Sequence, residues 1–304
     1  MADIVHTGRA TPVAWQEAAT TVRPLLLTLP AALGLLVFFV APLAAFLVYS
    51  VLTAGLFSVT GPLTLSAYGR ALGTELNGVL AANSALIGLL AATATTAFAL
   101  PIAYWLRYAA GRWQLPVLFL ITASMFASYL VRIYAWRTIL GANGVINRGL
   151  ESLGLVDEPL GFLLYNRFSV TIALVHIFLP YVVLVLFAGF RPLSPALLES
   201  AQDLGADAWQ RWRRVIMPLI AAPAATSFLF VLILSASDYV TPQLIGGTSG
   251  LLLGVQIQAN FKAVGDWPQG AAISFLMLAA FVACYGVTLL GLRLLRLDRI
   301  RWVS

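Results

Sequence analysis

LLESAQDLGADAWQRWRRVIMPLIAAP, residues 197–223, mixes acids, bases and tryptophans in a chain otherwise poor in charge. Apolar runs flank it on both sides. Ser194-Pro195 just upstream is a helix start, with Ser as N-cap and Pro in the first turn. Leu197, Leu198, Ala201 and Leu204 follow at helical spacing and make one apolar face. Gly205 ends this helix in the manner of a left-handed cap. Asp207 begins a second helix, with Gln210 three residues on in a capping-box arrangement. That helix carries Trp209, Trp212, Val215 and Ile216 among Arg211, Arg213 and Arg214, and Pro218 marks the entry to the next apolar run. The stretch therefore reads as a polar helical hairpin. A bare interfacial loop anchored by Arg and Trp explains the bases. It does not explain Glu199 and Asp203, like charges four residues apart that cost ~0.2–0.5 kcal/mol on one helix face. A surface made to meet a basic partner does.

The composition sets the solvent. Of 304 residues, 61% are hydrophobic and 10% charged, against roughly 25% charged in a soluble domain. Apolar runs at 25–49, 79–106, 115–131, 168–190, 219–235 and 271–295 each approach the ~20 residues that cross ~30 Å of hydrocarbon as a helix. Transmembrane β-strands would give alternating segments of about ten residues instead. Six helical spans are predicted. The first is far longer than the roughly 7–15 residues typical of a cleavable signal's apolar core. Cys284 is the one cysteine, so an intrachain disulfide and a cysteine metal site are both excluded.

The net charge of +6 raises nucleic acid as a partner, but bases at membrane edges account for it better. Both tails, the loop after the second run and the 191–214 loop carry 12 Lys and Arg, the other side six. By the positive-inside rule the hairpin and both termini are expected in the cytoplasm. The domain reading is a cytoplasmic tail over 1–24, a membrane domain over 25–295 with the polar loop at 194–218, and a second tail over 296–304. On the outer side, 145–155 reads as a surface helix. Segment 251–257 is too short to span, and either re-enters the membrane or packs on the bundle. Trp267-Pro268 opens the last span, and Tyr134, Trp136 and Trp267 suit an interfacial aromatic belt. His176 reads as a packed, hydrogen-bonded histidine, and Arg132 and Arg137 as outer-edge anchors or docking residues.

Glu199-Ser200-Ala201, then Gly205, then Val215-Ile216-Met217-Pro218 resembles the EAA loop of ABC-importer permeases, E-A-A, three residues, G, nine residues, I-x-L-P. Ser200, Val215 and Met217 depart mildly from that pattern, while Glu, Gly and Pro keep their places. The resemblance implies an all-α type I importer permease with six transmembrane helices in a bacterial inner membrane. It implies that Glu199, Ala201, Gly205, Ala206, Asp207 and Pro218 serve contact with a separate ATP-binding cassette ATPase dimer. It also implies a second permease subunit in a heterodimer, a periplasmic or extracellular solute-binding protein, and a lipid surround. The chain has no G-x-x-x-x-G-K-[ST] phosphate loop, so ATP hydrolysis falls to another chain, and no catalytic residue, metal or cofactor is expected in this one.

SYLVRIYAWRTILGANGVIN (128–147), SDYVTPQLIGG (237–247) and DWPQGAA (266–272) are similar to the first permease subunit of the spermidine/putrescine branch. Related permeases for iron, opines and phosphonates share these outer segments. Asp238 lies near the outer edge, either in a solvated loop or within the span, where an acid faces a pathway or a bundle interior. Tyr239 adds an aromatic face for an ammonium group. Tyr134, Trp136 and Asp266 are further pathway candidates. A gradient-driven secondary transporter would show inverted repeats and broken helices, and leaves the hairpin unexplained. An intramembrane enzyme has little to stand on, with two histidines, one cysteine and no G-x-S-x-G.

Overall fold

The computed structural model describes residues 28–54 and 59–295. The two expected tails, and residues 25–27 of the first apolar run, lie outside the described residues. Five helices are long and apolar enough to cross a membrane: α1 (Thr28–Ser50), α3 (Glu75–Tyr108), α7 (Arg167–Gly189), α9 (Ala208–Ala236) and α11 (Trp267–Leu294). The shortest, at 23 residues, extends about 35 Å at 1.5 Å per residue. A two-residue antiparallel pair, β1 (Thr53–Ala54) and β2 (Val59–Thr60), and the short α2 (Ser66–Gly73) link α1 to α3.

The third predicted span is corrected. The apolar run 115–131 is not one rod, because α4 (Gln114–Met125) stops after 12 residues. The chain then turns by 96° into α5 (Tyr129–Leu140) and α6 (Val145–Ser152). A sixth span exists only if this bent pair counts as one. The break has a physical cause. A helix end leaves its last carbonyls without donors, and here Arg132 Nη2 donates to the carbonyls of Ser124, Met125 and Ala127 at 3.0, 2.9 and 2.8 Å. The surface helix expected over 145–155 is present as α6, with buried Asn147 bridging the Gly141 carbonyl and the Leu160 amide.

The core lies where α3, α7 and α9 meet. Ala91, Ala92, Thr95, Ala99 and Ala103 of α3 are buried and recur at helical spacing, and their small size lets neighbouring backbones approach. Gly88 is the limit of that approach: a Cβ there would sit 3.0 Å from Ala236 Cβ and 3.1 Å from the Leu232 carbonyl. Gly189 meets the Pro223 ring in the same way, with a Cβ 2.8 Å away. Ile87, Val170, Leu174, Ile177 and Leu186 fill the rest. By contrast no residue of α1 is buried over its most apolar stretch, as suits a helix facing lipid or a partner chain. It holds to the body through edge-to-face contacts among Phe46, Tyr49, Phe261 and Trp267, at 5.7–6.2 Å between ring centres.

At the end opposite the hairpin, residues 245–253 fold back into the bundle and lead to α10 (Leu253–Ala259), which packs on α3 and α11. Backbone at that depth needs partners within the protein, and side chains of two spans supply them. Asn83 Nδ2 donates to the Ser249 and Leu251 carbonyls, both at 3.1 Å, and Ser84 Oγ accepts the Leu253 amide at 2.9 Å. Ser169 Oγ donates to the Ile245 carbonyl at 2.6 Å, and Arg167 Nε to Ser249 at 3.1 Å. Gly247 takes φ 56°, and a Cβ on it would strike the Tyr165 carbonyl. Replacing Gly189 by Val drives a branched side chain into Pro223, so an overpacking cost of about 1–3 kcal/mol is expected. A lower thermal midpoint for the purified protein, with Gly286→Val in open space unchanged, checks it.

Candidate functional site

The hairpin is built by its own caps. In α8 (Pro195–Asp203), Ser194 Oγ accepts the Leu197 amide at 3.2 Å. The helix closes in a Schellman turn: the Gly205 amide donates to the Gln202 carbonyl at 2.8 Å and the Ala206 amide to Ala201 at 3.0 Å. Gly205 has φ 82°, the left-handed conformation this turn requires. Asp207 Oδ1 then accepts the Gln210 amide at 2.7 Å and starts the next helix. The expected capping box is half formed, since no return bond from the Gln210 side chain is present among the described residues. Arg211 Nη1 donates to Gln202 Oε1 at 2.9 Å and ties the two arms together.

The second arm is not a separate helix, as the sequence had suggested. From Ala208 the chain stays helical to Ala236, passing Pro218 without a break. Pro218 has no amide to offer the preceding turn. A wider π-helical turn over Trp212–Ile216, closed by the Met217 amide on the Trp212 carbonyl, precedes it and absorbs the mismatch. The hairpin thus continues directly into a membrane span.

Its base is welded to two other spans. Trp212 lies edge-on to Tyr104 of α3 at 6.0 Å, and Tyr104 to Phe190 at 5.9 Å. Tyr108 Oη donates to the Leu193 carbonyl at 2.7 Å. Phe190, Leu193, Ile216 and Ile220 are buried beneath. The outer surface is the reverse: Leu204 is 89% and Trp209 68% exposed, beside exposed Glu199, Asp203, Gly205 and Asp207. Ala201 and Ala206 are half-buried. Neither Glu199 nor Asp203 makes an ion pair among the described residues. The hairpin thus presents an open apolar pair next to unpaired acids on one side, while its base is packed against α3 and the end of α7.

The pathway candidates at the far end do not form one cluster. Asp238 is half-buried just past α9. Its Oδ2 accepts Tyr129 Oη at 2.7 Å and the Thr241 amide at 3.3 Å, and its Oδ1 accepts the Val240 amide at 3.0 Å. It caps the helical turn that begins at Val240. Tyr239 is 40% exposed and Tyr134 51%. Trp136 is half-buried and packs edge-on to His176 at 5.6 Å. Asp266 stands apart, capping α11 through the Gln269 amide at 3.0 Å and pairing with Arg70 of α2 at 3.1 Å. The Tyr129 bond to Asp238 and the Arg132 carbonyl cage, which support this region from α5, are not evident from sequence, where Arg132 reads as an outer-edge anchor or docking residue. The signal available was their three-residue spacing, which puts them close on one helix.

A family model described as binding-protein-dependent transport system inner membrane component matches residues 78–297. The chain is 32% identical over 214 residues to the spermidine/putrescine transport system permease protein PotB of Salmonella typhimurium, covering 70% of this chain and 74% of that one. It is 31% identical over 188 residues to the PotB protein of Haemophilus influenzae, covering 61% of this chain and 65% of the relative. It is also 30% identical over 240 residues to the inner membrane ABC transporter permease protein YdcU of Escherichia coli, covering 74% and 76%. Among solved structures, a chain of a bacterial alginate ABC transporter, crystallised with an alginate pentasaccharide-bound periplasmic protein, superposes with a TM-score of 0.74 at 16% identity. That superposition covers 90% of this chain and 95% of the other, and at such identity it speaks for the fold alone.

Replacing Gly205 by Val puts a β-branched residue in left-handed backbone, which costs about 1–2 kcal/mol. Amides 203–208 are then expected to exchange with deuterium roughly tenfold faster, since about 1.4 kcal/mol is one decade in an opening equilibrium, with amides of the α3 core unchanged.

Proposed function

The chain belongs to the binding-protein-dependent transport system inner membrane components, multi-pass proteins of the bacterial inner membrane, and on that premise we propose that it forms half of a solute passage driven by ATPase subunits on other chains. The observation that carries this reading is the hairpin. Its exposed face has Leu204, Trp209 and unpaired acids, while its base is fixed to α3, α7 and α9. Glu199 contacts the ATPase, Gly205 permits the turn with Ala201 and Ala206 closing it, Asp207 caps the second arm, and Pro218 sits above the π turn that joins it to the span. The chain itself hydrolyses nothing. The hairpin and both tails, 1–24 and 296–304, lie on the cytoplasmic side of the 25–295 membrane domain, a reading supported by the excess of Lys and Arg there.

The passage is completed by a second permease subunit in a heterodimer, and solute is delivered by a binding protein on the opposite side. The solute is a polyamine. Support comes from the likeness to spermidine/putrescine permeases and from Asp238, an acid at the far end with no cationic side chain paired to it among the described residues. Tyr239, Tyr134 and Trp136 lie in the same region, and Asp266, already paired with Arg70, contributes least.

The test is uptake of labelled spermidine and putrescine by cells lacking their own polyamine import, expressing the chain with its partner permease, ATPase and binding protein. Glu199→Ala should lower uptake about tenfold, the size of one lost charge-assisted contact at a coupling surface. Undiminished uptake in Glu199→Ala would sink the coupling assignment. An assembled, ATP-hydrolysing complex that imports neither polyamine moves the solute to another small molecule.

A further inference from the structure

The first turns of α5 form a junction of three spans. On one side, Arg132 holds the carbonyls that end α4 and reaches the Ile177 carbonyl of α7 at 3.4 Å. One turn on, Trp136 packs against His176 of α7. On the other side, Tyr129 Oη donates to Asp238 Oδ2 at 2.7 Å and lies 2.9 Å from Thr241 Oγ1. Asp238 lies two residues beyond α9, whose other end is the hairpin. The 29 residues of α9 make a rod of about 43 Å, seated closely on α3 at Gly88 and on α7 at Gly189. A Cβ on Gly254 would lie 2.5 Å from the Ser237 carbonyl, so the start of α10 closes over the same junction. The Tyr129 hydroxyl is the one side-chain group among the described residues whose hydrogen bonds join α5 to the far end of α9.

We infer that Tyr129 is a positioning residue: its bond to Asp238 couples α9 to the broken span, so that movement begun at the hairpin shifts α5 at the far mouth. The inference rests on the ATPase-coupled reading above. It gives Asp238 a mechanical duty whichever solute passes. α5 is the element able to respond, because the break at 126–128 leaves it joined to α4 through a turn and a guanidinium rather than through helix.

The test uses the assembled complex in lipid nanodiscs, with Cys284→Ser and a reporter cysteine at exposed Ala135 of α5. Its labelling by a membrane-impermeant maleimide is timed with and without a non-hydrolysable ATP analogue. With Tyr129 present the analogue should change the rate by about fivefold or more, the low end of coupling between sites. In Tyr129→Phe, which keeps the ring and its packing, the response should vanish while basal ATP hydrolysis and the melting temperature hold. Asp238→Ala should abolish it equally, and the double variant should do no more than Asp238→Ala, as for two halves of one bond. For labelled spermidine, Tyr129→Phe should lower the maximal uptake rate and leave half-saturation unchanged. A response in Tyr129→Phe equal to that of the unaltered chain overturns the relay while the importer reading stands. So does a rise in half-saturation with the response intact, which would assign Asp238 to solute contact. Absence of any nucleotide response with Tyr129 present removes the coupling reading, and the relay with it.

Discussion

In hydrocarbon no water is available to an unpaired amide or carbonyl, and that constraint shapes the broken span and the fold-back at 245–253. Five helices meet it with their own ladders. At several places where the ladder stops, a side chain takes over. Arg132 ends α4, Asn83, Ser84, Ser169 and Arg167 hold the 245–253 backbone, and Asp238 and Asp266 cap the turns that follow. Even the π turn below Pro218 belongs to this pattern, since it rearranges carbonyls around a residue that has no amide to give. These polar side chains are thus committed to backbone.

Against that background the hairpin is the exception. Its caps serve its backbone, yet Glu199, Asp203, Leu204 and Trp209 are exposed, and neither acid makes an ion pair among the described residues. Burying Leu204 and Trp209 against a partner would gain about 25 cal/mol for each Å² of apolar area, and nearby acids add charge selection. The two ends of α9 therefore differ in kind. One end is exposed, with apolar side chains beside unpaired acids, while the other is closed into a network of hydrogen bonds.

Much of this was legible in the sequence, and the failures have physical reasons. Span lengths follow from uninterrupted hydrophobicity, and the hairpin from Ser194-Pro195, Gly205 and Asp207, whose roles depend on local geometry alone. The break at 126–128 was not legible, because Phe126-Ala127-Ser128 carries neither Pro nor Gly. What ends α4 is a guanidinium several residues downstream, a tertiary event that hydropathy does not register. Asn83 and Ser84 were hidden inside an apolar run, although polar residues at that depth ordinarily have a partner. Asp266 before Trp267-Pro268 carries an N-cap signature, yet an acid so near the outer edge equally suits solute contact. An acid at a membrane edge suits either task, and sequence does not separate them.

The short α4 bears on how the chain is made. Twelve residues extend about 18 Å, too little to cross the bilayer alone, and an arginine follows almost at once. One of the carbonyls that Arg132 needs belongs to Ile177, and Tyr129 needs Asp238, both in segments synthesised later. These two bonds can close only once α7 and the end of α9 have been synthesised, so the junction is completed out of sequence order.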